Sequence, residues 1–337
     1  MDKACGEGLM PDGVAALRQI GVELGAEDGV PFRGIRFIDA DIAAEASFPS
    51  NYGAGIRRTR LHRILQEHAE AAGAVVQWQS RVVTVDAGAV TVNGQTVRCR
   101  WVIGADGLHS RVREWAGLRP VWSGARRMGI RQHFRIRPWT DFVEVHWRTG
   151  WQAYVTPVGP QEVCIAMIGS EPRGHPDLRR LFPALDERLG SAEVLTPLRG
   201  AVSMSTKLRA VAAGQIALVG DASGSVDAVT GDGLALAFRQ AALLGSALAA
   251  GDLELYETAH QRVSRMPRLM ARLLLLMDGR DRLRRRAISL LAARPRTFDR
   301  LLAAHVGSLS AVDVSLDAFS FSLRLFAPAH MRRMPSS

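Results

Sequence analysis

Lysine is nearly absent. Of the 43 basic residues in the 337-residue chain only Lys3 and Lys207 are lysines, so the excess over 33 acidic residues, a formal +10, is almost all arginine. A skew confined to one residue type reads as composition before it reads as a polyanion-binding device. Cysteine is scarce as well: Cys5, Cys99 and Cys164 lie far apart and form no C-x-x-C pair. That excludes a disulfide framework and a structural zinc site, and it fits a reducing cytoplasm. No run of about 18 residues is free of charge; the nearest, from Leu234 to Gly251, carries Arg239. The opening Met1-Asp2-Lys3-Ala4-Cys5-Gly6-Glu7-Gly8 has neither the charged nor the apolar region of a secretory leader. Neither G-x-S-x-G nor H-E-x-x-H occurs, which removes the common hydrolase and zinc-protease readings. What remains is ample: 47% hydrophobic and 23% charged residues suffice for a packed core in one large or two ordinary domains.

The periodicities divide the chain into units. A short helical pattern spans Gly13 to Gly21, a strand lies near Ile35 to Ile38, and 58–72 repeats Leu61, Ile64, Leu65, Ala69 and Ala72 on one helical face before the stop at Gly73. Strand-like runs follow at Ala74–Trp78, Arg81–Asp86 and Thr96–Ile103, the last entering a glycine turn and a helix from Arg111. Four closely spaced runs, Gly129–Ile136, Asp141–Trp147, Trp151–Val158 and Glu162–Ile168, predict an antiparallel sheet. A second buried strand, Gln215–Val219, feeds another glycine turn and a long apolar helix from Gly233. Beyond Leu253 the pattern is helical, interrupted at Pro267 and Pro295, and 265–300 holds eleven arginines against three aspartates.

Two of the turns carry residues suited to chemistry. In Gly104-Ala105-Asp106-Gly107-Leu108-His109-Ser110-Arg111-Val112-Arg113 a strand delivers Asp-Gly into a loop whose Ser110 can cap the next helix, and free N–H groups at a helix start favour an anion such as a phosphate. The bland alternative is a plain strand-to-helix turn with Asp106 as turn former. In Gly220-Asp221-Ala222, followed by Asp227-Ala228-Val229-Thr230-Gly231-Asp232-Gly233, a carboxylate sits where a polyol could reach it. Gly231 and Gly233 there let backbone approach a flat ligand at a positive helix end. Asp232 would repel an anion at that place, so its side chain is expected to turn away.

Taken together, D-G-x-x-S-x-V-R at Asp106–Arg113 and G-D-A with D-x-x-T-G-D-G at Gly220–Gly233 resemble the FAD-dependent monooxygenases of the p-hydroxybenzoate hydroxylase superfamily. The segment Lys3–Pro11 and the 226–233 loop are similar to its branch containing geranylgeranyl-reductase-like oxidoreductases. The resemblance implies an α/β fold: a doubly wound FAD/NAD(P)-binding domain, N-terminally incomplete, with an interleaved antiparallel-sheet substrate domain and a helical C-terminal region. The divisions fall at 1–120, 121–205, 206–255 and 256–337. It implies FAD as cofactor, NAD(P)H as reductant and O2 as co-substrate in hydroxylation of an aromatic or polyketide-like molecule. Reduction of an isoprenoid double bond is the alternative. FAD would be met by Arg58, Asp106, Gly107, Gly220, Asp221, Gly231 and Gly233. Arg131, His133, His146, Trp147 and Tyr154 on the sheet are the substrate-side candidates, and no metal ligand set or catalytic side chain is singled out.

The chain departs from the pattern at Ser223 and Ala228, and it contains no G-x-G-x-x-G, the element that seats a dinucleotide pyrophosphate on a helix N-terminus. In the family that fingerprint precedes the Cys5–Gly8 element, so the chain is expected to bind FAD weakly or not at all. A halogenase is disfavoured by two lysines in all and by the absence of W-x-W-x-I-P. A nucleic-acid or membrane-surface role for the arginines of 265–300 is the non-enzymatic rival, with membrane contact the more compatible with a small-molecule enzyme.

Overall fold

The computed structural model describes residues 2–49, 52–86, 88–170, 176–310 and 312–326. The last eleven residues of the expected C-terminal region, 327–337, lie outside the described residues.

An eight-stranded sheet is the largest element. Its central strands, Arg127–Arg135, Glu162–Ser170, Trp151–Gly159 and Phe142–Arg148, pair antiparallel in that spatial order. Glu193–Val194 and Arg199–Ser203 share the outer edge of Arg127–Arg135. On the other side the sheet is longer than its four sequence-legible strands. Gly34–Asp39 joins Phe142–Arg148 in a parallel pairing, Ile35 opposite Val143, and Ile42–Ser47 folds back on it. The sheet is therefore mixed, and a hairpin from the first segment of the chain completes it.

Strand alternation gives this sheet two different faces. Ile130, Ala153, Val155, Val163, Ile165 and Met167 pack beneath the short helix Pro183–Leu189. Ile35, Val143, Val145 and Trp147 look the other way, toward Ile288, Leu291, Phe298 and Leu302 of the C-terminal helices. Those helices are Arg265–Met277, Asp281–Ala292 and Pro295–His305, with Leu253–Val263 before and Ser315–Phe326 after. Their arginines are partly spoken for: Arg284 meets Asp39 at 2.8 Å inside the protein and Arg285 meets Asp41 at 2.7 Å outside it.

The second body is smaller. Val102–Gly104 and Ile216–Leu218 lie parallel, Ala217 opposite Ile103, flanked by Ala212–Ala213. Each of the two parallel strands runs into one of the glycine turns and then into a helix, Arg111–Trp115 or Gly233–Ala250. The latter is long and apolar enough to cross a membrane by length and composition. Here it packs along Pro11–Gln19 and Leu253–Val263, burying Ala235, Leu236, Phe238, Leu244 and Ala247. The expected strand at Ala74–Trp78 does not form; Val75 is 85% exposed, and the segment runs as irregular chain after its helix. Its apolar letters had no neighbour strand to pair with. The expected run Thr96–Ile103 is two strands, Gln95–Arg98 in a three-stranded meander and Val102–Gly104 in the parallel pair.

Candidate functional site

Between the apolar face of the large sheet, the C-terminal helices and the two glycine turns lies a cavity of about 880 Å³, within the range of small-molecule and cofactor sites.

The Gly220–Gly233 turn is built to keep its backbone open to that space. The buried strand Ile216–Leu218 ends at Gly220, whose φ of +62° suits glycine. The Gly220 N–H donates to Gln240 Oε1 at 2.8 Å. Behind the turn the Ser223 hydroxyl contacts His260 Nε2 at 2.9 Å, and burial pushes the His260 pKa down to about 4, with Arg268 adding to the effect. Asp227 does double duty: its Oδ1 accepts from Val229 N–H at 3.0 Å and from the Arg127 guanidinium at 2.8 Å. Arg127 also donates to Gln152 and Asp278, so one buried guanidinium ties sheet, turn and helix together. Gly231 takes φ +72°, and the helix Gly233–Ala250 then starts without any side-chain cap, Gly233 and Leu234 facing the cavity. Asp232 is turned away from the cavity, as expected: it is not among the lining residues, and its Oδ1 lies 3.2 Å from His305 Nε2, both side chains more than nine-tenths buried.

The Asp106 turn is organised differently. Asp106 Oδ2 accepts from the N–H groups of Arg111 at 2.8 Å and Val112 at 3.2 Å, and Ser110 Oγ accepts from Arg113 N–H at 2.9 Å. The helix start expected to bind a phosphate is thus already satisfied by its own loop. Its length of five residues adds little dipole.

All seven expected cofactor-side residues, Arg58, Asp106, Gly107, Gly220, Asp221, Gly231 and Gly233, line the cavity. Gly6, Gly107 and Gly233 have open space where a Cβ would stand, leaving bare backbone against which a flat ring can lie. Asp221 reaches Lys3 Nζ at 3.7 Å, both half-exposed, so it remains available to a polyol. Arg58 anchors its backbone N–H on Glu7 Oε1 at 2.9 Å while its side chain faces the cavity. These walls fit the ring and ribityl portion of a flavin. With no G-x-G-x-x-G in the sequence, a pyrophosphate cradle of that kind is not among them.

The sheet candidates divide. Trp147 and Tyr154 line the cavity. The Tyr154 hydroxyl donates to Val229 O at 2.7 Å, and burial drives its pKa far above the usual phenol value. His146 does not reach the cavity: it projects from the opposite face, where its Nε2 meets Glu144 at 3.1 Å. Arg131 and His133 project toward the cavity side, but the segment Asp2–Glu7 roofs them. Arg131 pairs with Asp2 and donates to His133 Nδ1 at 3.0 Å, and His133 Nε2 meets Glu7 Oε2 at 2.7 Å. Donation to Nδ1 puts the ring hydrogen on Nε2, facing Glu7. Glu7, His133 and Cys164 bring potential ligand atoms within 4.8 Å of one another, yet this arrangement is a hydrogen-bonded set in which the imidazole has no free lone pair.

Residues that the sequence reading passed over complete the walls: Cys5, Phe37, Met277, Phe298 and His305. Burial raises the Cys5 thiol above its ordinary pKa. Phe298, Leu302 and His305 recur at helical spacing, a signal that puts His305 on the apolar face of its helix.

Comparison with known proteins follows the same lines. The FAD binding domain family matches residues 4–268. The menaquinone reductase of Mycobacterium tuberculosis is 27% identical over 288 residues, 75% of this chain and 69% of the relative. The digeranylgeranylglycerophospholipid reductase of Methanocella arvoryzae is 26% identical over 223 residues, 59% of this chain and 56% of that protein. Among solved structures, the OxyS anhydrotetracycline hydroxylase from Streptomyces rimosus shares the fold, with a TM-score of 0.67 at 23% identity over 92% of this chain and 69% of its own. The match across most of the chain, on walls that fit a flavin, settles membership: the chain belongs to the FAD binding domain family and is a FAD-dependent oxidoreductase.

Proposed function

We propose that this protein reduces an isoprenoid double bond of an apolar, prenyl-bearing substrate. The observation that carries this reading is the composition of the cavity beyond the glycine turns. Phe37, Val145, Leu274, Leu291, Phe298 and Leu302 form its walls, with few polar groups among them. A hydrocarbon chain gains about 25 cal/mol for each Å² buried there, whereas a hydroxylated aromatic would leave polar atoms unpaired at about 1–3 kcal/mol each. Curated relatives include a menaquinone reductase and a digeranylgeranylglycerophospholipid reductase, which supports a reductase reading.

FAD, when bound, supplies the hydride chemistry, and NAD(P)H is proposed as its reductant. The chain's residues do the rest. The uncapped start of Gly233–Ala250 would offer N–H groups and the positive end of a long helix to a flavin ring, and Gly231 and Gly233 would allow its close approach. Asp221 would hold the ribityl hydroxyls, and the aliphatic walls would exclude water from the cavity.

The test is anaerobic. FAD-loaded enzyme with dithionite and geranylgeraniol as probe is expected to yield a product that has gained two hydrogens. A product carrying an added oxygen atom, formed only in air, would instead establish the hydroxylase reading and overturn this one.

A further inference from the structure

The C-terminal helices leave apolar side chains uncovered beside the cavity. On Ser315–Phe326, Leu316, Phe319 and Leu323 recur at helical spacing and are 81%, 62% and 58% exposed. Ala318, Phe321 and Leu325, on the opposite side of the same helix, line the cavity. On Arg265–Met277, Leu269, Leu273 and Leu276 also recur at helical spacing and are exposed, and Leu273 and Leu276 line the cavity as well. Residues that meet both solvent and cavity mark its opening. Single exposed leucines are ordinary on a protein surface, whereas two helical stripes bordering one opening mark an interaction site.

We propose that these stripes dock the protein on an anionic lipid bilayer, from which the cavity takes its apolar substrate directly. Charge selects that occupant. Arg265, Arg272, Arg280, Arg282, Arg296 and Arg324 are exposed, and among the described residues no acidic side chain pairs with them. The aspartates of the same stretch are engaged already: Asp278 with Arg127, Asp281 with Arg284, Asp299 with the Ser47 N–H, Asp313 with Ser310 and Asp317 with Arg300. No glutamate lies between 265 and 326, so the charge left free on these helices is positive. Arg265 and Arg272 stand one turn before Leu269 and Leu276. At that spacing an arginine stem lies along the leucine while its guanidinium reaches for a lipid phosphate, as on helices that rest in a membrane interface.

Docking places the opening against the hydrocarbon. A prenyl chain that moves from lipid past Leu273 and Leu276 into the apolar walls crosses no water, so it never loses the burial that makes it insoluble. A protein seated on the same stripes would close the opening instead. The delivery step rests on the reading of a prenyl-bearing substrate; docking itself rests only on the exposed leucines, the phenylalanine and the unpaired arginines.

Co-flotation of the protein, with FAD present, tests docking without turnover. One set of vesicles holds phosphatidylglycerol and phosphatidylcholine in equal amounts, the other phosphatidylcholine alone. Partition onto the anionic set is expected to be about tenfold stronger and to fall as salt is added. The triple variant Leu316→Gln, Phe319→Gln, Leu323→Gln changes exposed positions off the cavity wall; it should lose about tenfold of that partition with its melting temperature unchanged. Arg265→Gln combined with Arg272→Gln should lose about tenfold on the anionic vesicles only, and this pair still decides if the triple variant folds poorly. Equal partition onto both sets, none onto either, or partition that both variants leave unchanged would overturn the proposal. A wild-type dimer that the triple variant turns into a monomer would assign the stripes to a second copy, and tighter binding to a DNA duplex than to vesicles would make the arginines a nucleic-acid surface; either result overturns it too. Vesicle binding is read without chemistry, so a failure of double-bond reduction and a failure of docking are told apart.

Discussion

The two strand–turn–helix units start from the same design, a buried parallel strand ending in glycine and aspartate, and they end differently. At the first, the loop's own side chains, Asp106 and Ser110, take the helix N–H groups, and the helix is five residues long. At the second, no side chain caps an 18-residue helix, and two of the turn's three acidic groups are engaged elsewhere, Asp227 with Arg127 and Asp232 with His305, while Asp221 stays half-exposed near Lys3. A loop that satisfies itself is a structural joint. A loop held open from outside keeps its N–H groups for a ligand, and its supports become the cost of function.

If the second turn depends on outside support, cutting that support should be the most damaging change. Asp227→Ala removes a carboxylate from a guanidinium that is 5% exposed, together with the cap on Val229. Arg127 keeps Gln152 and Asp278 as partners, so the loss of one of its two carboxylates and of the cap is expected to cost about 1–3 kcal/mol, read as a loss of thermal and urea stability.

Acid probes the same support from behind. His260 sits beside Ser223 with its pKa pushed down to about 4 by burial. The unfolded chain takes up this proton as pH falls through about 6.5, the folded protein only near 4. Its contribution is therefore complete above the unfolded value and is lost progressively between the two. Urea melts should show a loss approaching about 3 kcal/mol across that window, and His260→Gln should flatten the slope.

The first turn offers the contrasting, smaller effect. Asp106→Ala is expected to cost about 1 kcal/mol through loss of the acceptor for Arg111 and Val112, seen as a modest drop in melting temperature.

Much of this was legible in sequence because strand periodicity and glycine-aspartate turns are local. The sheet strands from Gly129 to Ile168, both turns and the long helix follow from short-range pattern, and six of the seven cofactor-side residues meet at one cavity because both turns lie at the same ends of two paired strands, the seventh, Arg58, coming from the start of the helix Arg58–Ala71. Long-range pairing was not legible. Nothing near Gly34–Asp39 announces a parallel partner more than a hundred residues away, and period two alone cannot say that His146 faces away from Trp147's cavity or that Asp2–Glu7 covers Arg131 and His133. The free-helix-start reading of the Asp106 turn failed because one carboxylate can serve either a ligand or its own helix, and only geometry separates the two.

The contrast between the turns is tested most directly by flavin titration of two variants side by side. Gly233→Val puts a side chain into open space at the uncapped helix start without disturbing a positive φ. It should weaken FAD binding by roughly tenfold or more, about 1.4 kcal/mol, with little change in melting temperature. Asp106→Ala should lower the melting temperature while leaving flavin affinity within about twofold of wild type. The reverse pattern, flavin lost with Asp106 and retained with Val at 233, would place the ligand contact at the first turn and contradict the account.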